Sequence, residues 1–277
     1  MPYVQAQVFM PACIEVYKYF TGRLNKKIIN SPAKNKTPLN QLRYQDKVAE
    51  RICRWKLNTN FTCGDLWVTF RYPPRQKVST EKARSDIKRF LAKLRYLYKK
   101  NGNQLKYIYS AGRTKQGMIH FHFVLNRFNT EAISKLWWEI AGTDNFPCPA
   151  VHIRHLDSTG NYKKIAAYLI KNSQETFYSN DKIHDKRFCA SQKLLMPIIK
   201  KKICGAKIWK HIPKAIKGYV LDKDSFYDGY GWSDAGKQWE GCRIQRYTFI
   251  RLETEKEKRG RIRKRKIPDI PIIDNLL

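Results

Sequence analysis

The stretch QLKYIYSAG, RTKQG, MIHFHFVLN (residues 104–126) sets two apolar, aromatic-rich runs on either side of a Lys, Gln and Gly turn. This layout predicts an antiparallel hairpin in the middle of the chain. A hairpin there argues against a regular strand–helix alternation and its all-parallel sheet. The flanking segments extend the pattern. CGDLWVTFRYPP turns at Gly64-Asp65 and runs into a strand, Leu66 to Tyr72, ended by Pro73 and Pro74. STEKARSDIKRFLAKLRYLYKKNG is a helix that Ser79 or Thr80 can cap and Gly102 can stop. Its Ile87, Phe90, Leu91, Leu94 and Leu97 make one apolar face. NTEAISKLWWEIAG is a short helix capped by Asn129 or Thr130, AVHIRHLD a strand, and NYKKIAAYLIKNSQETF a helix.

The order from 64 to 177 is therefore strand, helix, strand, strand, helix, strand, helix. It predicts an α+β fold, a mainly antiparallel sheet with flanking helices, compatible with a β-α-β-β-α-β ferredoxin-like core. Residues 2–20 read as one or two strands, and 22–38 as a basic loop. TPLNQLRYQDKVAERICRWKLNTNF reads as a helix starting at Thr37-Pro38, with Leu42, Val48, Ile52 and Trp55 toward a core. Residues 178–250 carry short apolar stretches and the Gly-rich DGYGWSDAG, and 253–266 are almost wholly charged. The expected division is 1–60 as strands and a helix packing on the core and 61–177 as the core itself. Residues 178–252 are its extension, and 253–277 a basic tail.

Charge narrows the partners. Lys and Arg number 55 against 23 Asp and Glu, a formal net charge of +32, while 42% of residues are hydrophobic. A chain of this kind buries a core and still calls for a polyanionic partner, DNA or RNA first and an anionic membrane second. KRFLAKLRYLYKK and KIWKHIPKAIKGYV interleave basic and aromatic residues, as a surface that neutralises phosphates and stacks bases would. Solvated helix faces account for part of the same lysines. Seven cysteines with no Cys-x-x-Cys pair exclude zinc-ribbon spacing and a disulfide scaffold, and point to reduced thiols in a cytoplasmic protein. No run reaches the ~18 apolar residues of a membrane span, and the first twenty residues lack the layout of a signal peptide.

Only six histidines occur, and two of them, His120 and His122, sit one residue apart on the second arm of the hairpin. Residues two apart on a strand share a face, so the two imidazoles can aim at one point while Phe121 and Phe123 enter the core. Two readings stay open for the pair: hydrogen-bonded histidines on a sheet face, or ligands to a divalent metal with positions left for substrate oxygens. Tyr168 and Lys171 lie at i and i+3 on the helix AAYLIKN, hence on one face. A nearby ammonium would favour the phenolate of a tyrosine nucleophile. A simple surface pair has the same spacing. His152 and His155 sit an odd number apart on their strand, so at most one can join such a site.

DLWVTFRY, HFHFVLN and YLIK, in this order, resemble the three motifs of the HUH endonucleases. The likeness is closest to the rolling-circle replication initiators of phages, plasmids and integrative elements. It covers about residues 5 to 250 loosely, with the specific motifs at 66–72, 120–122 and 168–171. It implies metal-dependent nicking and rejoining of single-stranded DNA at an origin through a covalent 5′-phosphotyrosine. Tyr168 would be the nucleophile with Lys171 beside it, His120 and His122 the ligands of Mg²⁺ or Mn²⁺, and Thr69 would lie on the first-motif strand. Tyr162, six residues earlier, would be a second nucleophile in a two-tyrosine enzyme. Family members usually add an acidic ligand from the strand before the histidine pair, and YSAGRT has none; water, Gln116 or Glu175 would fill that position. The implied partners are single-stranded DNA and an origin duplex, with a host helicase and polymerase in the bacterial cytoplasm, since no Gly-x-x-x-x-Gly-Lys-[Ser/Thr] occurs. A conjugative relaxase, a single-tyrosine transposase or a non-enzymatic DNA-binding protein on a decayed site share these motifs.

Overall fold

The computed structural model describes residues 3–20, 39–74, 76–204, 210–230 and 243–252. The expected loop at 22–38, the helix start at Thr37-Pro38, most of DGYGWSDAG and the charged stretch 253–266 lie outside them. In chain order the elements are β1 (Tyr3–Phe9), β2 (Cys13–Phe20), α1 (Leu39–Asn60), β3 (Leu66–Arg71), α2 (Thr80–Lys100), β4 (Tyr107–Arg113) and β5 (Ile119–Leu125). There follow α3 (Thr130–Ala141), β6 (Val151–His155), α4 (Lys163–Tyr178), β7 (Cys189–Ala190), β8 (Ile198–Cys204), β9 (Tyr219–Tyr230) and β10 (Arg243–Arg251). The fold is α+β with two antiparallel five-stranded sheets. It divides into two compact units, one of Asn40–Leu195 and one built from the described residues up to Leu39 and those between Met196 and Leu252.

In the first unit the strand order is β6-β3-β5-β4-β7. The hairpin of β4 and β5 is present, and β5 lies between β3 and β4, so the α2 connection crosses over it. This is the β-α-β-β-α-β arrangement that the element order predicts. Period-two alternation sorts the side chains. Phe70, Phe121, Phe123 and Tyr109 point to one face and pack against Phe90 and Leu94 of α2 and Ile133 and Trp137 of α3. Their rings meet edge-on or tilted, Phe70 at 4.8 Å from Phe90 and 5.1 Å from Trp137 between centroids. Each such fully buried ring contributes on the order of 2 kcal/mol from apolar burial alone. Ile108 and Val124 point to the other face, against Cys53 and Leu57 of α1 and Ala166, Leu169 and Ile170 of α4.

The helix ends follow their sequence signals. Ser79 accepts from the Lys82 N–H at 3.2 Å and Asn129 from the Ala132 N–H at 2.8 Å. The helix α4 has no side-chain cap of its own. Instead Asn58, buried on α1, accepts from the Tyr162 N–H at 2.9 Å. The face of α1 differs from the sequence expectation. Cys53, Leu57 and Asn58 are its buried residues among those described, whereas Leu42, Val48, Ile52 and Trp55 are half-buried. The helix meets its sheet along its last two turns, and spacing alone does not reveal which turns are covered.

In the second unit the order is β8-β1-β2-β10-β9. The opening hairpin β1–β2 thus sits in the middle of a sheet whose other strands come from beyond residue 196. Ile14 and Val16 of β2 cluster with Tyr247 and Phe249 of β10. A bulge between Arg246 and Thr248 shifts the pairing of β10 with β9. Asp228 accepts from Arg243 and from Gln245 at 3.1 Å, and the Arg243 guanidinium holds its carboxyl down at about 2. Among the described residues no helix is long and apolar enough to cross a membrane, and the described cysteines are free thiols.

Candidate active site

Of the site residues expected from sequence, Thr69, His122 and Tyr168 line one cleft on the α4-facing side of the first sheet, with the His120 ring beside His122. Register places Thr69 of β3 opposite His122 of β5, and on its other side opposite His152 of β6. Arg71 stands opposite His120, which on its far side faces Gly112 of β4. Gly112 has a steric reason to lack a side chain. A Cβ there would lie 2.7 Å from His120 Nε2 and 3.1 Å from the Asn172 carbonyl oxygen of α4. The missing side chain is the space the His120 ring occupies.

The two imidazoles are edge to face, 4.8 Å between centroids. His122 is buried and held on both nitrogens. Nδ1 is 2.9 Å from the Thr69 hydroxyl, and Nε2 is 3.4 Å from the Tyr168 hydroxyl. The latter is a long contact rather than a tight bond. Trp67 lies parallel to the His122 ring at 5.8 Å and meets the Tyr168 ring edge-on at 5.6 Å. Tyr168 therefore leans over the histidines while 44% of its surface stays open to solvent. Burial pushes His122 down to about 3, helped by His120 and by the Arg71 charge. Burial also lowers His120, and the Met118 carbonyl and Glu175 oppose this. Both rings are neutral at pH 7 and keep lone pairs for a ligand. His120 Nδ1 is buried with no hydrogen-bond partner among the described residues.

Tyr168, His122 and Thr69 open onto a cleft of about 490 Å³. Its remaining polar lining is basic or imidazole: Arg71, Arg154, Lys164 and His152. Among the described residues no carboxylate lines it. The arrangement offers an exposed phenol beside a fixed imidazole in a basic groove, which suits an anion with a reacting phosphorus or acyl centre.

The other expected residues fall as follows. Lys171 is exposed on α4 one turn after Tyr168 and does not line the cleft. Tyr162 is 2% exposed at the start of α4, and its hydroxyl donates to the Asp157 carbonyl at 3.2 Å. Burial raises its pKa well above the ordinary phenol range. Gln116 is exposed in the β4–β5 turn. Glu175 is exposed on α4, near enough to His120 for its charge to favour the protonated ring. Among the described residues no three His, Cys, Asp or Glu side chains cluster as metal ligands.

Sequence reasoning missed Lys164, Arg154 and Arg71, and of His152 and His155, at most one of which could join the site, it is His152 that lines the cleft. Lys164 carried a signal, since it lies at i−4 from Tyr168 and shares its helix face. Arg154 and His152 share a strand face by period two, but their place beside Thr69 depends on β6 pairing with β3, which no local pattern reveals.

A sequence model of the family "Replication-associated protein ORF2/G2P" matches residues 65–176. The matched stretch runs from β3 into α4 and holds Thr69, His120, His122, Tyr168 and Lys171. The match supports a replication-associated protein of the initiator type. No curated protein and no solved structure matches the chain.

Proposed function

We propose that this protein is a rolling-circle replication initiator that nicks one DNA strand at an origin and rejoins it through a covalent tyrosine. The observation that carries the reading is the Tyr168 hydroxyl 3.4 Å from His122 Nε2, in a basic cleft inside the stretch the family model matches. In this reading the Tyr168 oxygen attacks the scissile phosphorus. The bond to the 3′ oxygen breaks as the new ester to the 5′ phosphate forms. The phenol proton passes to water and the leaving 3′ oxygen takes one up. Reversal rejoins the ends, so no nucleotide cofactor is consumed. Lys164 lines the cleft beside Tyr168, and with Arg71 and Arg154 it would hold the phosphates around the scissile bond.

The residues fit a divalent cation, Mg²⁺ or Mn²⁺. Two neutral imidazoles share one sheet face, and one nitrogen of His120 is buried without a partner. When bound, such a cation polarises a nonbridging phosphate oxygen. Thr69, by accepting from His122 Nδ1, would leave the Nε2 lone pair directed at the cleft. Water or Glu175 would complete the ligand set. The open partners are single-stranded DNA, the origin duplex and a host helicase and polymerase. One observation favours a second reading, DNA binding without cleavage: no carboxylate joins the two histidines among the described residues.

The test uses single-stranded oligonucleotides tiled from the genetic element that encodes the chain, incubated with Mn²⁺ or EDTA and run on a denaturing gel. A covalent adduct with the wild type and Mn²⁺, absent with Tyr168→Phe and with EDTA, is the expected result. Lys164→Ala should slow its formation about tenfold or more. Tight binding with no adduct on any oligonucleotide would leave the binding-only reading.

A further inference from the structure

The sheet of the second unit buries one face along β1 and leaves the other half-open. Val4, Ala6 and Val8 are buried, while Tyr3, Gln5, Gln7 and Phe9, which alternate with them, are half-exposed. Register extends the half-open face over both neighbouring strands. Gln5 stands between Lys202 of β8 and Lys18 of β2, and Gln7 has Lys200 of β8 beside it. Aromatic rings mark the two ends of the strand, roughly 20 Å apart. Tyr3 is opposite Phe20 and meets it edge-on at 5.6 Å, and the Lys200 ammonium lies 5.5 Å over the centre of the Phe9 ring. Glu15 is the one acidic residue of β1, β2 and β8, and it is buried on the other face, opposite Val8. Lys18 donates to Gln245 at 2.8 Å; burial lowers its pKa, and the Lys202 charge adds to that. Among the described residues Lys200 and Lys202 have no ion-pair partner, and the Gln5 and Gln7 side chains no hydrogen-bond partner.

We propose that this face is a second DNA-binding surface, which takes a stretch of single-stranded DNA across β8, β1 and β2. Charge selects a polyanion: lysines crowd one face, and no carboxylate of these strands shares it. The rings and amides select its form. A single strand has free base faces to lay on half-exposed rings, and free base edges that give and accept hydrogen bonds with glutamine amides. A duplex keeps its base faces stacked on one another. An anionic membrane would answer the lysines alone and leave the amides without a role. Lysines on an edge strand also deter aggregation, which accounts for β8 but not for the rings and amides of β1, a central strand. The surface does not use Tyr168, so it goes beyond the nicking reading and holds DNA whether or not the strand is cut.

The test uses the full chain carrying Tyr168→Phe, in EDTA, with a single strand of thymidine and 5-iodouracil. After irradiation, cross-linked peptides are read by mass spectrometry. The expected result is cross-links to Tyr3, Phe9 or Phe20, whatever forms in the first unit. The same complex is then titrated with salt. Lys200→Gln with Lys202→Gln should weaken binding about tenfold at about 0.15 M salt and flatten the slope of log affinity against log salt by about 1.4. Both lysines sit on an exposed edge strand, so their replacement leaves the fold intact. Lys88→Gln with Lys99→Gln, a charge-matched change on the exposed side of α2, should leave the slope nearly unchanged. Gln5→Ala with Gln7→Ala should weaken binding about fivefold at an unchanged slope. Four results would each overturn the proposal. The first is no cross-link on β1 or β2. The second is an equal slope change from the two lysine pairs, which would assign the effect to net charge. The third is a duplex of the same length bound as tightly and with the same dependence on Lys200 and Lys202. The fourth is an unchanged DNA slope in the β8 variant, together with either self-association on a sizing column or lost binding to phosphatidylglycerol vesicles. Self-association would make the lysines edge guards, and lost vesicle binding would make the face a membrane contact.

Discussion

At the scale of single residues, the site is made by what surrounds the histidines. His122 is fixed between Thr69 and Tyr168, and His120 occupies the space that Gly112 leaves. Removing these supports should therefore matter as much as removing a ligand. Thr69→Val keeps the shape but strips the hydroxyl from His122 Nδ1, and should weaken Mn²⁺ binding by about 10–100-fold. Gly112→Ala drives a methyl into the His120 ring and the Asn172 carbonyl, and should weaken it at least as much. Mn²⁺ titration by calorimetry reads both, with circular dichroism confirming an unchanged fold. Wild-type affinity in both variants would remove the histidine pair from any metal site. The histidines and Tyr168 are readable in the chain because their spacing is local. The role of Gly112 is not, because it depends on two partners, one across the ladder and one on α4.

Among elements, α1 and α4 cover the face of the sheet that carries the site, and a half-buried polar knot ties them. Asp46 of α1 accepts from Gln174 at 3.0 Å and from the Tyr178 hydroxyl at 2.8 Å, both on α4, and from the Arg187 Nε. Asp46 and Arg187 each keep only 12% of their side-chain surface exposed. Breaking a half-buried, hydrogen-bonded charge pair from one side leaves the other charge short of partners. Asp46→Ala should cost about 1–3 kcal/mol in urea unfolding, more than Lys93→Ala, whose pair with Glu139 is exposed and should cost under about 1 kcal/mol. Equal losses would mean the knot does not hold the helices. The core strands and helices from 66 to 178 were legible because apolar periodicity, Ser79, Asn129 and the Pro73-Pro74 stop all agree. The strands β8, β9 and β10 were not. Strand β8 is exposed along nearly its whole length and rich in lysine, so it carries no alternation to read. Its pairing with β1, from Tyr3 opposite Cys204 to Phe9 opposite Ile198, joins residues on either side of the whole first unit.

For the whole molecule, acid should act through buried imidazoles. His184 packs edge-on to Tyr109 at 5.2 Å, with a buried Nε2 that has no partner among the described residues. Burial, with Arg84 nearby, pushes its pKa down to about 4. An unfolded chain protonates this ring near pH 6.5, and the folded one does not until about 4. Stability is thus full above about 6.5 and falls as pH drops toward 4, by on the order of 2 kcal/mol for this group once partial solvent access is allowed for. Chemical denaturation at pH 7.5 and 5 should show the loss, and His184→Phe should shrink it; an unchanged pH dependence would assign the effect to other groups. The interleaved second sheet has a further consequence for how the chain is made. As it leaves the ribosome, the β1–β2 ribbon emerges with both flanks unpaired, and its neighbours β8 and β10 follow only after the entire Asn40–Leu195 unit. At about 5–20 residues per second the wait lasts roughly ten seconds or more. The nascent ribbon must stay unaggregated through that interval, and a messenger truncated after the Asn40–Leu195 unit would release a protein with both of those strand edges permanently open.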